Sequence, residues 1–195
     1  ALGQPVPEGS MTEIKPISGS YRDPKGRIYS DGSRIFRSIA QSAIDDFERT
    51  VKTGLLEKLV EEGRLVSWKR VDAPEIVSAQ PDTKLVLEHE KLEFVTYPYE
   101  WSFSALKAAA LCHLEVQIEA LEHDVCLSDA SAYNIQFKGT RPIFIDHLSF
   151  RPYREGEYWT GHRQFCNQFL NPLLMRARLG LPHNAWYRGA MEGIQ

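Results

Sequence analysis

The stretch CLSDASAYNIQFKGTRPIFIDHLSF, from Cys126 to Phe150, places Asp129, Asn134 and Asp146 at the ends of two short apolar runs. Asp129 precedes Asn134 by five positions, and Asp146 follows Asn134 by twelve. NIQF and RPIFID flank Lys138-Gly139-Thr140 and read as a hairpin, which brings Asn134 and Asp146 to one end of it. Two carboxylates and an amide gathered in this way suit phosphoryl transfer. Asp129 would orient an acceptor hydroxyl or take its proton. Asp146 and the amide oxygen of Asn134 would hold Mg2+ against nucleotide phosphates, because hard oxygen ligands suit that ion. Taken singly, each of the three is an ordinary turn residue. Their grouping is what favours a site.

LSDASAYN resembles the catalytic loop of protein kinases, written H-R-D-x-x-x-x-N. FIDHLS resembles the short strand that ends in the metal-binding aspartate of aminoglycoside-phosphotransferase-like kinases. The resemblance implies an α+β, two-lobed, protein-kinase-like fold, with a small β-rich N-lobe, a reduced helical C-lobe and Mg-ATP in the cleft between them. It puts Asp129 in the base position and Asn134 and Asp146 in the metal positions. Arg37, in RIFRSI, falls where such kinases keep a phosphate-contacting lysine, with Asp46, Glu48 or Glu57 as a carboxylate partner. Tyr97 and Tyr99, in YPYEWSF, fall at the hinge, where they would wall an adenine or simply pack a lobe junction. The run RPYREGEYW reads as a solvated loop, as the remnant of an activation segment or as a docking surface for a missing domain, and its Arg151 and Arg154 are candidates to touch phosphate.

Several positions depart from that pattern. Leu127-Ser128 replace His-Arg or His-Gly before the aspartate, and His147-Leu148 replace Phe-Gly after Asp146. No GxGxxG loop exists, and an arginine is not a simple stand-in for the lysine. A second resemblance runs through YPYEWSFSALK, DASAYNIQF, PIFIDHLSF and RQFCNQFLNPL, which are similar to the N-terminal region of bacterial proteins labelled SAM-dependent methyltransferases. It implies a methyltransferase domain or protein as a partner. The glycine-rich SAM loop is absent here, so methyltransferase activity does not carry over. Three readings stand: a phosphotransferase that binds a nucleotide, a pseudokinase-like or interaction module that accompanies a methyltransferase domain, and an α+β interaction domain with turn aspartates.

The elements that must position these residues follow from patterning. Asp31-Gly32 between Arg27–Tyr29 and Arg34–Ile39 is a hairpin signal. Ile44, Phe47, Val51, Leu55, Leu56, Leu59 and Val60 recur at helical spacing after a Ser42 cap, with Gly54 breaking the helix and Gly63 ending it. LVSWKRV and TKLVLEHEKLEFVTYPYEW read as strands joined by a loop near Pro74 to Pro81. A long helix runs from Phe103 to His123, with Leu106, Ala110, Leu114, Ile118 and Leu121 as its apolar stripe and His113 packed nearby. The last apolar segment is helical and bent by Pro172. The expected division is a vector-derived remnant over 1–10, a β-rich lobe with one helix over 11–98, its first part an arm or loop to about 26, and a helical lobe over 99–195.

Composition narrows the function classes. A net charge of −3 over 195 residues argues against non-specific nucleic-acid binding. No apolar run approaches the ~20 residues that cross a bilayer, and the start does not read as a signal peptide. Three cysteines without CxxC spacing point to free thiols in a cytoplasmic protein, and the scattered histidines do not suggest zinc.

Overall fold

The computed structural model describes residues 14–17 and 24–184, so the expected remnant over 1–10 lies outside the described residues. The chain is α+β and divides into two compact units: residues 1–41 with 68–91, and residues 42–67 with 92–195. The expected break near residue 98 is therefore not where contacts divide the chain. The helical segment 42–67 groups with the second unit.

The first unit is a five-stranded antiparallel sheet in the order β1-β2-β3-β5-β4. Its strands are β1 (Lys15–Pro16), β2 (Ile28–Ser30), β3 (Ile35–Ala40), β4 (Trp68–Val71) and β5 (Thr83–His89). The β2–β3 hairpin turns at Asp31-Gly32, where Gly32 takes a φ of 87° that a side chain would resist. The Asp31 carboxylate accepts from the Arg34 and Ser33 backbone N–H groups at 2.7 and 2.9 Å and pairs with the Arg34 guanidinium at 2.8 Å. The Arg34 backbone bond leads the interactions that hold its pKa well below the usual carboxylate range. Tyr29, Phe36, Ala73, Ile76 and Val86 form the core of this unit.

Three expectations for this region are corrected. Residues 74–79 form a helix, α3 (Pro74–Ala79), and not a loop; proline sits in its first turn, where it sacrifices no helical hydrogen bond. Lys15 and Pro16, in the expected arm, pair with Ser30 and Tyr29. The last extended run stops at His89 rather than continuing to Trp101.

The second unit begins with α1 (Gln41–Lys52) and α2 (Leu55–Glu61), separated at Gly54, whose φ of 76° ends the helical path. Ser42 lies inside α1 rather than capping it. The long helix α4 (Phe103–Leu121) starts at Ser102, whose hydroxyl accepts from the Ala105 N–H at 3.1 Å. Leu106, Ala109, Ala110, His113, Val116 and Ala120 are buried, whereas Ile118 and Leu121 are 59% and 43% exposed. The expected stripe was thus half right. A helix that is apolar on most of its circumference does not announce which side packs.

His113 is fully buried among the rings of Phe144, Trp159, Phe165 and Phe169. Neither ring nitrogen has a hydrogen-bond partner, and burial pulls its pKa down to about 4. Behind α4 come β6 (Val125–Leu127), the hairpin β7 (Ile135–Lys138) and β8 (Arg141–Phe144), and β9 (Phe150–Pro152), which pairs with β6. The chain ends its described part with α5 (His162–Phe165), a π-helical turn over Cys166–Leu170, and α6 (Asn171–Leu179), with Pro172 in its first turn. Cys112, Cys126 and Cys166 are free thiols, and burial pushes Cys112 up to about 12. Among the described residues no helix is long and apolar enough to cross a membrane.

Candidate functional site

The backbone that carries Asp129 is pegged by side chains on both sides. The Leu127 N–H donates to the Gln117 side chain of α4 at 2.9 Å, and the Leu127 carbonyl accepts from the Trp159 indole at 3.0 Å. The Ser128 carbonyl accepts from the Thr160 hydroxyl at 2.8 Å. Beyond Asp129, the Ala130 and Ala132 N–H groups donate to Gln164 and Gln168 at 2.9 and 2.7 Å. Gln168 sits on the π-helical turn, the kind of irregularity that re-aims side chains at functional places. A loop whose backbone groups are tied to side chains of α4, α5 and the segments around them holds one conformation without needing a ladder of its own.

Asp146 is positioned from the other direction. Segment 64–66 runs beside β8, with Val66 N–H donating to the Phe144 carbonyl at 2.9 Å and Phe144 N–H to the Arg64 carbonyl at 2.8 Å. The Ile145 N–H donates to the Asn134 carbonyl at 2.9 Å, which joins the two ends of the hairpin. After Asp146 the chain turns sharply. The Leu148 N–H donates to Asp146 Oδ1 at 3.1 Å, and the Ser128 N–H donates to the Ser149 carbonyl at 2.7 Å.

These two anchors bring Asp129, Asn134 and Asp146 together around a residue that spacing did not single out, Ser149. Its Oγ lies 2.6 Å from Asp129 Oδ1 and 2.6 Å from Asp146 Oδ2. Asn134 Nδ2 donates to both Asp129 oxygens and to Ser149 Oγ, each at 3.2 Å. The amide nitrogen faces the carboxylate because an ionised carboxylate only accepts. Ser149 is buried at 2% exposure, while the other three are half-buried. A serine hydroxyl has one hydrogen, and here it faces two carboxyl oxygens at contact distance. Among the described residues no group of three or more His, Cys, Asp or Glu side chains is placed to hold a metal. A cation at this point would rest on two carboxylates and neutral oxygens.

Tyr97 and Tyr99 lie on and beside a 3-10 turn over Pro98–Glu100, and their rings stack 5.4 Å apart and 7° from parallel. The segment is clamped to β7 by Gln136, which accepts from the Thr96 N–H and donates to its carbonyl, both at 2.9 Å. The Trp101 indole donates to Thr96 Oγ1 at 2.9 Å. Tyr133, the neighbour of Asn134, has its pKa raised by burial and then by Tyr99 and Tyr97 nearby. The tyrosines therefore share the face of the second unit that carries Asn134.

Arg37 lies in mid-strand on β3, opposite Ile28 and Leu87 in the first unit, and Asp46, Glu48 and Glu57 lie on helices of the second. Arg151 and Arg154 pair with Glu157 at 2.8 and 3.8 Å. RPYREGEYW is not all loop, since its first two residues belong to β9. His147 is fully buried. The residues that spacing missed are Ser149, Gln117, Gln164 and Gln168. Their signal was faint: polar side chains within otherwise apolar elements.

No family model matches the chain. Nodulation protein NoeA of Rhizobium meliloti (strain 1021) is 48% identical to it over 178 residues, which are 91% of this chain and 37% of that protein. The chain is similar to one part of NoeA. It spans well under half of that relative's length. Among solved structures, the Cydia pomonella granulovirus kinase PK-1 aligns with a TM-score of 0.49 and 9% identity, over 77% of this chain and 59% of that one. A likeness that slight carries no weight for fold or function.

Proposed function

We propose that the chain is a kinase-like module that binds a nucleotide with Mg2+ at the Asp129–Asn134–Asp146 cluster and transfers a phosphoryl group to an unidentified hydroxyl. The observation that carries this is the convergence of two carboxylates and an amide on Ser149. Such a cluster attracts positive charge, and its oxygens are the hard donors that Mg2+ takes. Asp146 and Asn134, the latter through its amide oxygen, would hold the ion. Bound there, Mg2+ would neutralise phosphate charge.

The chain's own residues do the rest. Asp129, fixed by Asn134 and Ser149, would accept the proton of the acceptor hydroxyl. The pegs from Gln117, Trp159, Thr160, Gln164 and Gln168 keep its backbone from moving as charge develops, which is the geometric requirement for efficient proton transfer. Tyr97 and Tyr99 would offer a ring face to a base.

A second reading has its own support. Ser149 Oγ occupies the space between the carboxylates that a shared ion would use, and Leu127-Ser128 replace the usual residues before Asp129. Both favour a catalytically silent module; the methyltransferase domain it would accompany comes from the sequence resemblance alone. Titration calorimetry with Mg-ATP, followed by phosphate release with Asp129→Asn as control, separates the two. Turnover abolished by that substitution supports the first reading; binding without turnover supports the second; no binding removes the nucleotide from both.

A further inference from the structure

Helix α4 is apolar on two faces. One face is buried inside the second unit. The other carries Leu111, Ile118 and Leu121 at 49%, 59% and 43% exposure, with half-buried Leu114 between them. The spacing of these residues, i, i+3, i+7 and i+10, is a single stripe along the helix. At its C-terminal end the stripe runs into a cavity of about 170 Å³ lined by Leu121, Tyr153, Tyr158 and Trp159, with the Arg151–Glu157 pair at its wall. Tyr158, beside that cavity, is 95% exposed. Glu115, within α4, and Glu122, just past its last residue, are exposed and supply a charged rim. A continuous apolar stripe that ends in a pocket and is rimmed by charge is the form of a protein-docking surface, whereas scattered single apolar residues are not.

We infer that this stripe and cavity seat a further domain of a longer polypeptide that contains this module. Two observations choose that occupant over a second copy of the chain. The stripe spans eleven residues of helix, roughly 15 Å end to end, a narrow strip beside the interfaces of ~1,200 Å² or more that independent association uses. A domain tethered in the same polypeptide needs far less area, because its effective concentration is already about millimolar. The relative NoeA provides such a polypeptide: the match takes 37% of it, leaving 63% to lie elsewhere in the same chain. The inference does not rest on nucleotide binding.

The test is hydroxyl-radical footprinting of two proteins, the 195-residue chain and full-length NoeA with this chain replacing its matching part. Leu111, Ile118, Leu121 and Tyr158 are expected to label severalfold less in the longer protein. A Leu111→Glu/Ile118→Glu double substitution is expected to restore their neighbours' labelling there, and to leave the melting temperature of the 195-residue chain unchanged because both positions are exposed. Equal labelling in the two proteins overturns the proposal. So does protection of the stripe in the 195-residue chain alone together with a dimer mass by light scattering, since the occupant would then be a second copy.

Discussion

Removing the hydroxyl of Ser149 tests whether the cluster is held as its geometry implies. Ser149→Ala deletes a buried oxygen that meets Asp129 and Asp146 at 2.6 Å and accepts from Asn134 at 3.2 Å. The serine proton can be donated to only one carboxylate, so one charge-assisted bond is lost outright, and such bonds contribute ~1.5–3 kcal/mol. The two carboxylates also lose the dipole between them. The weaker contact from Asn134 adds little, because its amide still reaches both Asp129 oxygens at 3.2 Å. The expected loss is about 2–3 kcal/mol, a fall in Tm of ~4–12 °C for a protein of this length. Urea denaturation at neutral pH measures it, with Asp146→Asn and the double variant completing a cycle. The two single effects should fail to add by ~1 kcal/mol or more, as groups in one network do. A Ser149→Ala protein within ~0.5 kcal/mol of wild type, or strictly additive effects, would mean that Ser149 does not join the carboxylates.

Two further outcomes follow from burial. His113 is neutral in the folded protein down to about 4, against 6.5 for the unfolded chain, so the unfolded state binds the proton first. Its contribution is intact above pH 6.5 and is lost as pH falls toward 4, by ~3 kcal/mol across the window at 1.36 kcal/mol per pH unit. Denaturation of His113→Met between pH 7 and 4 should show a flatter slope than wild type; equal slopes would place the titration elsewhere. Gly161→Ala would put a methyl group 2.8 Å from the Trp159 ring and 3.0 Å from the Asp129 backbone. Displacing Trp159 breaks its bond to the Leu127 carbonyl, so a loss of ~1–3 kcal/mol and a red-shifted tryptophan emission are expected; unchanged emission would show that the ring had not moved.

Much of this arrangement was legible in the residues. Asp31-Gly32, Gly54 and the Lys138-Gly139-Thr140 turn punctuate the chain where they should, because local backbone preference decides such positions. The hairpin between Asn134 and Asp146 follows from the same rule. What was not legible depends on long-range packing. Nothing local marks Pro74–Ala79 as a helix, since a proline that opens a helix also opens a loop. The buried side of α4 was ambiguous because both sides are apolar. The division of the chain escaped the sequence because residues 42–67 pack with elements far along it, including the pairing of segment 64–66 with Phe144. Ser149 was invisible as a site residue because a lone serine three positions after an aspartate is ordinarily a turn residue.

The central claim is that Asp129, Asn134 and Asp146 form a cation-dependent nucleotide site. Its most direct test is a melting curve of the 195-residue chain with and without Mg-ATP, with Asp146→Ala in parallel. A ligand at about 100 times its Kd adds ~2.7 kcal/mol to the folded state, which is a rise of ~5–11 °C at this size. The account expects that rise in wild type with Mg-ATP, none with ATP in EDTA, and none in Asp146→Ala. An unchanged wild-type Tm at millimolar Mg-ATP and Mg-GTP, or an equal rise in Asp146→Ala, would contradict it.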